Sequence, residues 1–272
     1  MNALKYSILF FFCLLSSAGD AFARPAQPVQ VALRGYVGAL KTIDVVIDGR
    51  PARLLFDTGA GVTSVTPRFA QEIGCAPWGQ ITAFRMNGDR VSFQRCGHSQ
   101  VSINGFEAQR DLFVFDLNAV LPEGLPPIDG IAGLDLFDGE TVTLVHGLSA
   151  LRVESVRSQR RVTRGLRAGR IRLAREASGA GLTVFTPVHT ARGDLWLLVD
   201  SGNLSGLRLS GSARDALGSV GDIAVGVDGA APVEVHPEIV ADLIYDGALN
   251  AEFIAAHDLT LDLACQRAWW RD

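Results

Sequence analysis

A chain of 272 residues, 48% hydrophobic and 20% charged, has the composition of an ordered globular protein and the length to bury a large core in one or two domains. Its formal net charge of -4 argues against a nucleic-acid binder, because neutralising phosphates needs a concentrated basic surface; neutral and peptide-like ligands stay open. The 29 glycines point to a turn-rich, strand-rich build.

At the start of the chain, Lys5 precedes an apolar run from Tyr6 to Leu15, and Ala21-Phe22-Ala23 supplies a small-x-small pattern. Residues 1–23 therefore read as a signal peptide cut after Ala23. The run is shorter than the roughly 20 residues a spanning helix needs, so a periplasmic or secreted protein without a stable membrane anchor is expected. Export makes disulfides possible. Cys75 and Cys96 flank a hairpin-like stretch and are expected to pair, which leaves Cys265 as a buried free thiol or as a competitor for one of the other two. The five histidines are scattered without the spacing of a metal site, and no metal is expected.

The chain then reads as strand, turn, strand through Val31-Ala32-Leu33, Ile43 to Ile47, the Asp48-Gly49 turn and Ala52 to Phe56. The last of these, Leu54-Leu55-Phe56, is an apolar run stopping abruptly at Asp57-Thr58-Gly59-Ala60, a buried strand that delivers a carboxylate to a sharp turn. Thr66 and Pro67 open a short helix that stops at Gly74. Ile81 to Arg85 and Arg90 to Gln94 form a second hairpin whose Asn87-Gly88 tip suits a type I′ turn, and Met86, Asn87 and Gly88 are candidates for a flap. Separate strands are expected at Ser99 to Ile103 and Asp111 to Phe115, then the glycine-punctuated stretch Ile128 to Phe137 and a strand at Thr141 to Val145.

Between Leu151 and Arg175 the composition shifts to nine arginines, read as a solvated linker with an exposed strand or two rather than an anion-binding patch. From Gly181 the plan restarts. Trp196-Leu197-Leu198-Val199 ends at Asp200-Ser201-Gly202-Asn203, a helix-like segment follows at Ser212 to Leu217, and Asp228-Gly229 marks a hairpin. Asp246-Gly247 falls on Asp129-Gly130, and Leu259 to Leu263 falls on Thr141 to Val145, so the chain reads as an internal duplication.

Asp57-Thr58-Gly59-Ala60 after its apolar strand, with the later Gly130-Ile131-Ala132-Gly133-Leu134-Asp135 segment, resembles the aspartic proteases of the retroviral and pepsin superfamily. The second half resembles a diverged copy of the same lobe. The resemblance implies a mostly β, bilobal fold with an N-terminal lobe at 24–150, the Arg-rich linker at 151–178 and a C-terminal lobe at 179–272. It implies Asp57 and Asp200 as a catalytic dyad, supported by Thr58, Gly59, Ser201 and Gly202, with no cofactor and a peptide or protein as substrate. The expected protein is a secreted aspartic endopeptidase, monomeric rather than dimeric. The alternatives are an inactive peptide-binding module, motivated by Asn203 and Asn250, and a protease active only as a homodimer of N-terminal lobes.

Overall fold

The computed structural model describes residues 25–190, 193–218 and 221–272, so the expected signal peptide at 1–23 lies outside the described residues. In the first half the elements are β1 (Val29–Gly35), β2 (Lys41–Ile47), β3 (Arg50–Phe56), β4 (Ser64–Val65), α1 (Pro67–Glu72), β5 (Trp78–Phe84), β6 (Arg90–Ile103), β7 (Phe106–Val114) and β8 (Gly130–Ala132). They are followed by β9 (Thr141–Leu144), β10 (Ala150–Val153), α2 (Val156–Val162), β11 (Gly169–Arg170) and β12 (Arg172–Ala174). The second half carries β13 (Thr183–Thr190), β14 (Gly193–Val199), β15 (Arg208–Ser210), α3 (Gly211–Leu217), β16 (Ile223–Val225) and β17 (Val233–Val235). The chain closes with β18 (Glu238–Val240), β19 (Gly247–Leu249), α4 (Ala251–Ala255), β20 (Asp258–Asp262) and β21 (Arg267–Arg271).

The protein is mostly β, and the two halves repeat one plan. In the first, β3 runs parallel to β8, with Leu54, Leu55 and Phe56 opposite Gly130, Ile131 and Ala132. In the second, β14 runs parallel to β19, with Leu197, Leu198 and Val199 opposite Gly247, Ala248 and Leu249. Strands in parallel pairs are covered on both faces, which is why Leu54-Leu55-Phe56 and Leu197-Leu198-Val199 are continuous apolar runs, all buried. The two Asp-Gly pairs do the same work in each half. Asp129 accepts from the Arg53 N–H at 2.9 Å and Asp246 from the Trp196 N–H at 2.8 Å, four residues before Asp57 and Asp200 respectively. A Cβ at Gly130 would sit 2.0 Å from the Ser64 carbonyl oxygen, and one at Gly247 2.3 Å from that of Arg208, so only glycine fits either crossing.

A central layer joins the halves. β10 and β9 pair with each other, β9 pairs with β20, and β20 with β21. β1 switches partners midway, pairing β10 through Val29 to Ala32 and β2 through Leu33 to Gly35, and so carries the chain from this layer into the first lobe. The second lobe is a six-stranded sheet in the order β12-β13-β14-β19-β15-β18, with β16 and β17 as a separate hairpin.

Four expectations need correction. β6 is one strand of 14 residues rather than two, because a register shift between Arg95 and Gly97 bends it without interrupting its pairing to β7. The tip of the β5–β6 hairpin is not type I′. Gly88 has φ +82° whereas Asn87 does not enter the positive region; the Gly88 N–H closes on the Arg85 carbonyl at 2.8 Å and the Arg85 N–H on the Asp89 carbonyl at 2.7 Å. Residues 151–178 are not a solvated linker. They contain most of β10, all of α2, and β11 and β12, which pair with β21 and β13. Cys75 and Cys96 form the expected disulfide, but Cys265 is exposed rather than buried.

Candidate active site

β3 and β14 each end on an aspartate that turns the chain. Gly59 N–H donates to Asp57 Oδ1 at 2.8 Å and Gly202 N–H to Asp200 Oδ1 at 2.9 Å, the same two-residue turn in both halves. The turns lock across the interface through the hydroxyls beside them. Thr58 Oγ1 donates to the Val199 carbonyl at 2.6 Å and accepts from the Ser201 N–H at 2.9 Å, while the Thr58 N–H donates to Ser201 Oγ at 3.0 Å. Thr58 and Ser201 are both buried, so these three bonds are shielded from competing water.

Glycine at 59 and 202 is a steric requirement of this meeting. A Cβ on Gly59 would lie 2.6 Å from the Asp200 carboxyl carbon, and one on Gly202 would lie 2.5 Å from Asp57 Oδ2. Each lobe's glycine therefore makes room for the other lobe's acid, and the two carboxyl groups come within hydrogen-bond reach of each other.

Burial raises the pKa of both. For Asp57 burial is opposed by hydrogen bonds from the Gly59 and Gly202 backbones and from Asp200. Asp200 is raised well above the usual carboxylate value, by burial first and then by the adjacent Asp57 charge and its hydrogen bond. Two carboxyl groups this close cannot both ionise readily, so the pair titrates as one unit whose two steps are pushed apart.

The dyad lies on the floor of a cleft of about 500 Å³. Its first-lobe wall is apolar, with Val62, Ile81, Phe93 and Phe113, and its second-lobe wall includes Leu198, Leu243, Tyr245 and Glu176. Met86 and Asn87 line the cleft from the β5–β6 hairpin, and the Ile244 N–H donates to the Met86 carbonyl at 3.0 Å, so the hairpin tip rests on the second lobe. Gly88 lies beside this, over Ile244 and Asp242.

Asp135 and Tyr245 have no role assigned from the sequence, whereas Asn203 and Asn250 stand there as grounds for an inactive module. Asp135 is buried and accepts from the Thr63 N–H at 2.7 Å and from Thr63 Oγ1 at 2.8 Å, while Gly133 N–H donates to Thr63 Oγ1 at 3.1 Å. It thereby ties the segment after the Asp57 turn to the end of β8. An acid set inside the apolar run Leu134-Asp135-Leu136-Phe137 was the available signal. Tyr245 donates its hydroxyl to Glu176 at 3.3 Å, and burial first, then Glu176, pushes its pKa to about 12. Asn250 caps α4 through the Phe253 N–H at 3.1 Å, and Asn203 Oδ1 accepts from the Ser205 N–H at 3.1 Å; both side chains are spent on local turns. Among the described residues there is no cluster of side chains able to hold a metal ion.

Two outcomes follow for this network. Thr58→Val strips the buried Ser201 N–H of its acceptor and the Val199 carbonyl of its donor, and should lower unfolding free energy by about 3 kcal/mol, whereas Thr58→Ser should cost under about 1 kcal/mol, both read from urea denaturation. Burial pushes Asp135 up to about 7, against the hydrogen bonds from Thr63 and the charge of Arg110. Folded Asp135 thus keeps a proton that the unfolded chain releases near the ordinary carboxylate value of 3.8, so its stabilisation is full below that pH and is lost as pH rises through about 7. The dyad contributes with the same sign, and Asp135→Asn should flatten, without abolishing, the fall in stability between those two values when the same titration is run on both proteins.

Residues 43–125 match the family model described as gag-polyprotein putative aspartyl protease. No curated protein compared with the sequence matches it. Among solved structures, basic 7S globulin from soybean is similar with a TM-score of 0.57 at 8% identity, over 91% of this chain and 95% of that one. Conglutin gamma, a basic 7S globulin from lupine seeds, is similar with a TM-score of 0.58 at 8% identity, over 90% and 95%. At that identity these likenesses speak to the fold, and they extend it over both lobes. Residues 43–125 carry the aspartyl-protease pattern of that family model, and the chain as a whole has a mostly β, bilobal aspartic-protease-like fold.

Proposed function

We propose that this chain is an exported aspartic endopeptidase that hydrolyses peptide bonds with Asp57, Asp200 and a water molecule, and without a cofactor. The observation that carries the reading is the meeting of two carboxyl groups, one from each lobe, Asp200 buried and Asp57 partly so, in a cleft of about 500 Å³. In this reading Asp57 is the ionised member. It takes a proton from water as the oxygen attacks the scissile carbonyl, and protonated Asp200 gives its proton to the carbonyl oxygen. The tetrahedral intermediate then collapses: the C–N bond breaks as Asp57 gives its proton to the leaving amine, and a hydroxyl of the intermediate passes its proton to Asp200 as the product carboxyl forms, restoring the dyad's single proton. The Thr58 and Ser201 bonds hold both carboxyls in place through the cycle, so little reorganisation accompanies charge movement.

Export is part of the proposal. It is supported by the signal-like leader and by the Cys75–Cys96 disulfide, and no helix among the described residues is long and apolar enough to cross a membrane. A homodimer of first lobes would first have to displace Val199, Ser201 and Asp200 of the same chain from the Asp57 turn.

Asp57→Asn and Asp200→Asn should each lower kcat/KM on a peptide library by at least about 100-fold while leaving the circular dichroism unchanged, and a statine-type peptide should inhibit the native protein. An active Asp200→Asn protein would sink the single-chain dyad. Peptide binding without turnover at any pH between about 3 and 8 would replace the enzyme with a binding module.

A further inference from the structure

A second cavity, of about 540 Å³, lies outside the cleft, lined by Arg170, Arg172, Trp196, Cys265, Gln266 and Arg267 around Ile171. Ile171 is buried, which anchors the chain between β11 and β12 and leaves the arginines on either side exposed. Arg172 is held with its guanidinium 3.7 Å from the centre of the Trp196 ring. Among the described residues, none of Arg170, Arg172 and Arg267 is ion-paired with a carboxylate. Asp262, opposite Arg267 on the neighbouring strand, already accepts from Gln159 Nε2 at 2.9 Å and from the Cys265 N–H at 2.9 Å. Three like charges thus line one surface, with the Asp262 carboxylate opposite Arg267 engaged by Gln159 and the Cys265 N–H.

The strand register says where this groove lies relative to the dyad. Arg172 is opposite Phe185, and Phe185 is opposite Leu198, which stands two residues before Asp200 on β14. Leu198 lines the cleft, and Phe185 packs edge-on against Tyr245, another cleft residue, with ring centroids 4.9 Å apart. The groove and the cleft therefore share one face of the second-lobe sheet. Two strand spacings across and two residues along place Arg172 about 12 Å from Asp200, a distance covered by about four residues of extended peptide.

We propose that this groove is an exosite that binds an acidic segment of the polypeptide substrate, with carboxylates about four residues from the bond to be cut. Guanidinium groups present paired donors that fit carboxylates bidentately, and Arg172 is already ordered by its ring contact. A place on the same sheet face as the cleft favours a polypeptide over a nucleic acid, as does the formal net charge of -4, which repels long polyanions beyond the groove itself. The word substrate rests on the endopeptidase reading; the binding surface stands independently of it.

The test uses the full chain and two fluorescein-labelled peptides of equal length, one carrying a Glu-Glu-Glu cluster and the other Gln in its place. In low salt, fluorescence anisotropy should show the acidic peptide binding at least tenfold tighter, with the preference shrinking as salt rises. Arg170→Ser/Arg172→Ser/Arg267→Ser should abolish the preference, whereas Arg50→Ser, on the distant β2–β3 turn, should keep it. Should the triple variant not fold, the exposed single change Arg170→Glu should lower the preference at least threefold. The bound acidic peptide should also slow alkylation of Cys265, an exposed thiol in the groove, as followed by mass spectrometry. Equal binding of both peptides, a preference that survives in the triple variant, or tighter competing binding by a single-stranded oligonucleotide of equal charge would overturn the proposal. None of these readouts needs turnover. A chain that binds the acidic peptide but never cleaves it fails the endopeptidase reading alone, and one that cleaves without any acidic preference fails the exosite alone.

Discussion

Thr58 Oγ1 is the atom on which the site depends. It sits buried between the two halves, accepts from the Ser201 N–H and donates to the Val199 carbonyl, and so fixes the second aspartate's turn from both sides. Ser201 Oγ completes the link by accepting from the Thr58 N–H. With the turns held at this separation, Gly59 and Gly202 must lack side chains, the two carboxyl groups must face each other, and burial must raise the pKa of both. The chemistry available to the cleft is thus a consequence of an interface that two hydroxyls and two glycines define.

That interface is stiff because each half braces its own turn in the same way. Asp129 and Asp246 each accept a backbone N–H from the strand leading to Asp57 or Asp200, and their own carbonyls accept from Thr66 and Ser210, the residues that cap α1 and α3. The first lobe adds Asp135 and Thr63, which bind the exit of the Asp57 turn to the end of β8. In the second lobe Glu252, which is exposed, stands at the place of Asp135, and Asn250, at the place of Gly133, caps α4. The duplication has therefore diverged in how the turn is supported, while the aspartate, its hydroxyl neighbour and the following glycine are kept in both copies.

Much of this was legible in the sequence, and the reasons are steric. A buried parallel strand must be apolar throughout and must end where a carboxylate can turn, so Leu54 to Gly59 and Leu197 to Gly202 stand out without any alignment. The Asp-Gly pairs at 129 and 246 were equally visible, because no other residue passes the crossing at Gly130 or Gly247. What stayed hidden was set by distant partners. Nothing local marks residues 151–178 as ordered, since β11 is made a strand by β21 near the chain's end and β12 by β13. The bend in β6 reads as a break because a bulge interrupts the alternation without interrupting the ladder. Asn87-Gly88 looked like a type I′ tip, yet the turn spreads over Arg85 to Asp89 with Gly88 alone at positive φ, and its contact with Ile244 joins segments more than 150 residues apart.

The central claim is that one shared proton on an intramolecular pair of carboxyl groups performs the hydrolysis. The pH dependence of kcat/KM, measured on protein shown by sedimentation to be monomeric, tests it most directly. The account predicts a bell, with an acid limb where Asp57 takes up a proton and an alkaline limb where Asp200 loses the one it holds, its second limb displaced upward by burial and by the neighbouring charge. A profile with only one limb, or a bell that appears only in a dimeric fraction, would contradict it.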